Sequence, residues 1–450
     1  MANPAVTNPA VTTRSTVQLR RAVASSFIGS VIEYYDFLLY ATAAAVVFGK
    51  VFFAALDPLT ATVASFGTFA AGYLARPLGG ILFGHFGDRI GRKKMLVTTM
   101  TLMGVASFLI GALPTYGQIG IWAPVALVTL RVLQGVAVGG EWGGAVLMSA
   151  EHATSRRGLW ASFTNAGAPC GMVLSTVVLT VTAAASGERA FLAWGWRVPF
   201  LLSILLLGIG LFIRLKVEET PVFAAAERSA RVPLFDVLRN HPRNLLLAVG
   251  VGLAAFVAQG TLTTFLIAYG VEVGYSRQTV LSGLTLSSVL AVAGIIGYSA
   301  LSDRLGRRPV VLAGAVAMSA FSFLLFPLVD SGNVVLLVVT LVLGQAVIQP
   351  AMYGPLAALC TELFSTRSRY TGASLGYQLS GLGAGLAPVL FASILAGGGS
   401  TMTISLIISG FCLLTVVCVV LLAETSGNSL TETAPAPSDA AATATATRTR

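Results

Sequence analysis

Glu33 and Asp36 stand three residues apart in IGSVIEYYDFLLYATAAAVVF, a run otherwise made mostly of apolar and aromatic side chains. On a helix that spacing places both on one face. Two carboxylates on one apolar face disfavour double ionisation, so the pair can hold and release a proton. Glu141, inside GGEWGGA, is a third acid in apolar surroundings, and its small neighbours admit another helix. Glu33, Asp36 and Glu141 are therefore the proton-coupling candidates, and Glu141 is expected in a conformation-dependent ion pair.

Two arginines share this setting. Arg76 precedes Pro77 and lies eight residues before Gly84, and Arg131 opens RVLQG. A guanidinium is a planar fork that grips a carboxylate with two hydrogen bonds. Each arginine is expected either to contact an anionic substrate or to pair with Asp36 or Glu141. Gln134, three residues after Arg131, shares its face and adds a donor. Tyr34 flanks the acidic face. The other neutral candidates for substrate contact are Gln259, Gln349, Tyr353, Tyr377 and Gln378, with Gln345 nearby. All five charges deep in apolar sequence fall in the first half of the chain. The first half is thus expected to carry the proton chemistry, and the second to hold substrate by neutral hydrogen bonds.

The elements that position these residues follow from composition. The chain has 450 residues, 55% hydrophobic and 10% charged, where soluble domains carry about 25% charged residues. So few charges exclude a cytosolic enzyme, a nucleic-acid binder and a secreted disulfide scaffold. The pattern is that of an all-α integral membrane protein. Twelve apolar segments are predicted at about 22–48, 59–84, 95–113, 123–150, 159–184, 196–214, 244–270, 278–301, 309–328, 334–360, 370–396 and 401–423. They are long and without period-2 alternation, which favours helices over barrel strands.

The longest internal polar stretch divides them. The expected organisation is an N-terminal tail (1–21), a six-helix bundle (22–215), a linker (216–243), a second six-helix bundle (244–423) and a disordered tail (424–450) without a coiled-coil pattern. No removable signal peptide is expected. The four cysteines lie in apolar runs without metal-like spacing, and no cofactor or metal is expected.

Of the 28 Lys and Arg, four fall on predicted outer loops, two within segments, and the remaining 22 on the inner side if both termini are inside. Positive charge marks the cytoplasmic face. The net charge of +10 then reads as a topology signal rather than a nucleic-acid site. His85, His152 and His241 all fall in inner loops, so proton movement is assigned to carboxylates.

A repeat completes the reading. GHFGDRIGRKK follows the second segment and ALSDRLGRRP the eighth. Each contains D-R-x-G-R at the same place in its half, and Asp88 and Asp303 are 215 residues apart. Two parallel repeats are a feature of transporter folds. Gly84, Asp88, Arg89, Gly91 and Arg92 in the first loop, and Asp303, Arg304, Gly306 and Arg307 in the second, are the expected gate. Their acids and arginines can pair with one another or with helix ends.

These loops resemble the signature loops of the major facilitator superfamily. With LARPLGGILFGHFGDRIGRKK, RVLQGVAVGGEWGGA, WGWRVPFLLS, RLKVEETPVF and TELFSTRSRYTGASLGYQ, the chain is similar to the metabolite:proton symporter family, especially its shikimate-type branch, and also to its proline/betaine carriers. The resemblance implies two pseudo-symmetric six-helix bundles and proton-coupled symport of a small organic acid by alternating access. Proline or betaine uptake, or export, is the alternative. NAGAPCG, residues 165–171, partly matches an antiporter signature. The implied setting is a plasma membrane, inner if bacterial, with both termini cytoplasmic. The implied partners are substrate, proton and lipid, and the working form a monomer. No HExxH, GxSxG or phosphate-binding loop stands at a credible place, so no enzyme is expected.

Overall fold

A computed structural model of the chain describes residues 9–90, 92–152, 156–215, 233–364 and 369–426. Among the described residues there is helix and short connection but no strand. The described residues form twelve long helices in order. The first six are α1 (Val23–Phe52), α2 (Pro58–Ile90), α3 (Lys94–Ala112), α4 (Trp122–Leu147), α5 (Arg157–Gly195) and α6 (Arg197–Leu215). The last six are α7 (Pro242–Glu272), α8 (Arg277–Leu305), α9 (Arg307–Asp330), α10 (Val334–Glu362), α11 (Arg369–Ala396) and α12 (Thr401–Leu421). Eleven of these are long and apolar enough to cross a bilayer. The other, α2, is 33 residues long but is diluted by Arg76 and by runs of Gly, Ser and Thr.

Within the first half, α1 packs on α5, and α2 on α4. Within the second, α7 packs on α11, and α9 on α12. The seam between halves is made by α2 against α11 and α5 against α8. Close approach explains the glycines. A Cβ on Gly135 or Gly139 of α4 would run into the backbone oxygens of Gly72 and Arg76 on α2. One on Gly167 or Gly171 of α5 would meet Ser30, Tyr34 and Tyr35 of α1. Small residues substitute here for the hydrophobic drive that helices lack inside lipid. Gly135→Val, which sets a branched side chain against backbone, is expected to cost about 1–3 kcal/mol. A lower thermal midpoint of purified protein in detergent would show it.

One backbone irregularity recurs at the same place in the two halves. A π-helical turn interrupts α1 at Ala44–Phe48 and α7 at Thr261–Phe265. Such turns break the regular ladder, and they recur at functional sites.

The regions outside the bundles differ in part from expectation. Residues 216–232 lie outside the described residues. The linker's Pro233–Asn240 is a short helix that buries Val237 and packs on α7 and α11. The tail expected to be disordered from Glu424 is held for its first three residues. The Glu424 carboxylate accepts from the N–H groups of Arg307 (2.9 Å) and Arg308 (3.1 Å), and Thr425 donates to Glu362 at 2.7 Å. The open amides at the start of α9 explain this docking, since a helix N-terminus attracts a carboxylate. Partial burial pushes the Glu424 carboxyl up, but hydrogen bonds from Arg307, Ser426, Arg308 and Thr425 hold it below the ordinary range. A lowered value means the cap contributes above the ordinary carboxyl range and is lost as pH falls.

Candidate functional site

The three acids meet inside the first half. Glu33 and Asp36 of α1 and Glu141 of α4 line one small cavity, together with Met100, Met103 and Gly104 of α3 and Leu207 of α6. Its free volume is about 10 Å³, on the order of one water. All three acids are buried. Asp36 accepts a short hydrogen bond from Ser203 of α6. Glu33 Oε1 has no donor among the described residues.

The partner of Glu141 is Arg214, near the end of α6. By its place at the end of the sixth apolar segment Arg214 counts among the inner-side positive charges, but its guanidinium turns back into the bundle, against the Cα of Gly29, and is only 6% exposed. Leaving Glu141 uncompensated in an apolar interior would cost far more than folding one flexible side chain inward.

Neither Arg76 nor Arg131 pairs with Asp36 or Glu141. Arg131 donates to Gln134 at 3.0 Å, and Gln134 donates to Ser107 of α3 at 2.7 Å. Arg131 is otherwise wrapped by rings, with Phe37 at 3.8 Å and Tyr40 at 4.2 Å. It sits within the first bundle, away from the seam.

Arg76 is fully buried, with Nε and Nη2 lacking hydrogen-bond partners among the described residues. It lies 4.9 Å from the rings of Phe37 and Tyr73 and within electrostatic reach of Glu33, Tyr34 and Tyr377. It also faces α11 near Gly381. At the seam three phenols join: Tyr34 to Tyr377 at 2.9 Å, Tyr34 to Tyr353 at 3.3 Å, and Tyr353 to Tyr377 at 2.7 Å. Trp142 stacks on Tyr377 across the halves, with ring centroids 3.6 Å apart at 10°. Phe256 abuts both Tyr353 and Tyr377 edge-on. Trp142 donates to Asn165, which donates to the Tyr353 carbonyl at 3.1 Å. Gln378 donates to the Gly139 carbonyl at 3.2 Å.

Beside this cluster lies a cavity between the halves with about 20 Å³ free. Its polar lining, Gln259, Thr263, Gln345, Gln349 and Tyr353, comes from the second half. Leu38, Ala168, Pro169 and Met172, from the first, are apolar. This space takes about one water, so any organic cargo requires the halves to part.

Contacts join the halves at both ends. At the end carrying the repeated loops, Asp303 accepts from the N–H groups of Gly158 and Leu159, both at 2.9 Å, at the start of α5. Arg307 pairs with Asp303 at 2.8 Å and with Glu362 at 3.1 Å. Gly306 adopts φ +97° to turn from α8 into α9, a conformation that favours glycine. Arg304 is exposed. Gly84, Asp88, Arg89, Gly91 and Arg92 lie outside the residues whose side chains are described. At the far end, Arg277 approaches Glu188 at 3.8 Å.

Asp303→Asn keeps the shape but exchanges an anion for a neutral amide at two backbone donors. Charge-assisted bonds are roughly twice as strong as neutral ones, so the closed end is expected to open more often. A single cysteine at the buried Ser299, which packs beside Gly158, in an otherwise cysteine-free chain should then label faster with a membrane-impermeant maleimide.

Arg214, Ser203, Ser107, Trp142 and Asn165 were absent from the sequence-based site. Arg214 had one available signal: Glu141 needs a cation, and Arg131, ten residues before it on the same helix, stands about 15 Å away along the axis. Trp142 stands inside the GGEWGGA motif beside Glu141.

A family model described as Major Facilitator Superfamily matches residues 26–388 and 285–448. The chain is 36% identical over 430 residues to the shikimate transporter of Escherichia coli K12, covering 93% of this chain and 98% of that one. It is 37% identical over 413 residues to a putative metabolite transport protein of Haemophilus influenzae, covering 87% and 92%. It is 35% identical over 401 residues to the E. coli K12 proline/betaine transporter, covering 86% and 79%. Among solved structures, the proton:xylose symporter XylE bound to 6-bromo-6-deoxy-D-glucose superposes with a TM-score of 0.72 at 17% identity, covering 93% of this chain and 98% of that one.

Proposed function

The chain belongs to the major facilitator superfamily, a family of membrane carriers, and from that premise we propose that it is a proton-coupled symporter of a small organic acid. The observation that carries this reading is Arg76. A buried guanidinium at the seam, with two nitrogens unpartnered among the described residues, is a ready partner for a carboxylate that enters between the halves. Neutral donors and acceptors on the second half, Gln259, Gln349 and Tyr353, then select hydroxyl or keto groups on the cargo. The acid cavity around Glu33, Asp36 and Glu141 takes the proton. Substrate and proton load in one conformation, and the two halves rock to release them on the other side. The end bearing the D-R-x-G-R loops faces the cytoplasm, with both termini.

The shikimate transporter and the proline/betaine transporter among its relatives bracket the cargo. Five rings at the seam, Tyr34, Trp142, Phe256, Tyr353 and Tyr377, favour betaine as the second reading, because aromatic faces attract quaternary ammonium groups.

The test is uptake by purified protein in liposomes with an imposed pH gradient. Labelled shikimate is expected to enter saturably, in competition with unlabelled shikimate and 2-oxoglutarate but not with betaine. Saturable uptake of labelled betaine with no saturable uptake of labelled shikimate would favour the second reading. Glu33→Gln and Asp36→Asn are expected to remove the response to the gradient, and undiminished gradient-driven uptake in both would overturn the proton assignment.

A further inference from the structure

Two pairs of adjacent residues share one arrangement. Glu33 lines the acid cavity inside the first bundle, while Tyr34 points to the seam and bonds Tyr353 and Tyr377 of the second half. Glu141 lines the same cavity, while Trp142 stacks on Tyr377. Successive side chains on a helix diverge by about 100°, so each pair sends an acid one way and an aromatic ring the other. Both rings end on Tyr377. The substrate cavity meets this cluster through Tyr353.

We propose that Glu33–Tyr34 and Glu141–Trp142 couple the acid cavity to the seam, making Tyr34 and Trp142 positioning residues that tell the second half whether the proton is bound. This rests on the symport reading and deepens it. Protonating an acid changes which groups it attracts within a space of about one water. Side chains in a packed interior have few alternative arrangements, so a shift of Glu33 or Glu141 turns the helix segment that also carries its neighbouring ring. Stacking at 3.6 Å and hydrogen bonding at 2.9 Å both depend on ring position.

The groups that face the acid cavity are few. On α1 they are Glu33 and Asp36, with Tyr35 near Asp36. On α2 there is Arg76, and on α4 Glu141. On α6 they are Arg214 and Ser203. The lining of α3, Met100, Met103 and Gly104, is uncharged, and so is Ser107 nearby. Glycines 167 and 171 of α5 face α1 without charge.

The test reads Trp142 itself. Emission of the purified full chain in lipid nanodiscs is recorded from about pH 5 to about pH 8, the range of physiological proton chemistry. The Trp142→Phe signal is subtracted, which isolates Trp142 and keeps a ring in place. A titrating change in Trp142 emission is expected, with loss of that change in Glu33→Gln, in Asp36→Asn, or in the double variant Glu141→Gln with Arg214→Gln. The double variant keeps that site neutral, so that folding is not forfeited. A flat Trp142 signal, or one unchanged in every acid variant, overturns the proposal. Gradient-driven uptake measured in parallel separates the two readings. Uptake with a flat Trp142 signal leaves symport standing and removes the coupling. A Trp142 transition without gradient-driven uptake does the reverse.

Discussion

Arg76→Gln is expected to abolish saturable uptake and to raise the melting temperature of the empty protein. The two effects have opposite signs because the guanidinium has different surroundings with and without cargo. In the closed protein Arg76 is buried, and two of its nitrogens have no hydrogen-bond partner among the described residues. A buried donor left unsatisfied costs about 1–3 kcal/mol, so a neutral side chain relieves the resting state. When a carboxylate enters, the same charge is half of a desolvated pair. Truncating one partner of such a pair costs about 2–5 kcal/mol, which is roughly 30-fold to several thousand-fold in affinity. Arg76→Lys keeps the charge but loses the fork and should fall between. Liposome uptake and thermal unfolding in detergent read both signs. If Arg76 only glued helices together, Arg76→Gln would lower the melting temperature, and that outcome would sink its assignment to substrate.

The second large effect concerns Arg214. Arg214→Met leaves Glu141 buried with no cation against it. Removing one member of a buried pair costs about 3–5 kcal/mol, whereas replacing both members is often neutral. The single variant should therefore lose a large share of the protein's thermal stability. Adding Glu141→Gln should restore most of it. The double-mutant cycle isolates the pair, since each change removes the same contact. Additive losses would mean that the two residues do not act on one another. Gly29 belongs to the same unit, because a side chain there would occupy the guanidinium's place.

Much of this was legible in the sequence, and the limits are physical. Helix number follows from apolar run length, which the bilayer sets directly. The duplicated D-R-x-G-R loops locate the turns at equal positions in the two halves. The acids Glu33, Asp36 and Glu141 announced themselves because charge is rare in such surroundings. Pairing was not legible. Glu141 and Arg214 are 73 residues apart, and neither hydropathy nor spacing reveals that α6 passes beside α4. Arg214 stands at a helix end, where sequence reading counts a basic residue as a topology marker, and only packing shows it folded inward. Arg76 and Arg131 look alike in sequence. The structure separates them, one at the seam and the other wrapped in rings. The start of the tail differs for a similar reason: Glu424 has specific amides to bind, while residues 427–450 lie outside the described residues.

The uneven wall of the central cavity has an evolutionary consequence. Its polar atoms come from the second half, and the acids sit in the first. Substitutions at Gln259, Gln345 or Gln349, which line that cavity, are therefore expected to retune the proposed choice of cargo without disturbing the groups proposed to supply the driving force. A duplicated fold arranged this way can acquire new substrates by drift in one copy while the other preserves the engine. That modularity predicts that chimaeras joining this first half, with its Arg76, to the second half of a carboxylate-carrying relative inherit their preference among carboxylates from the second parent.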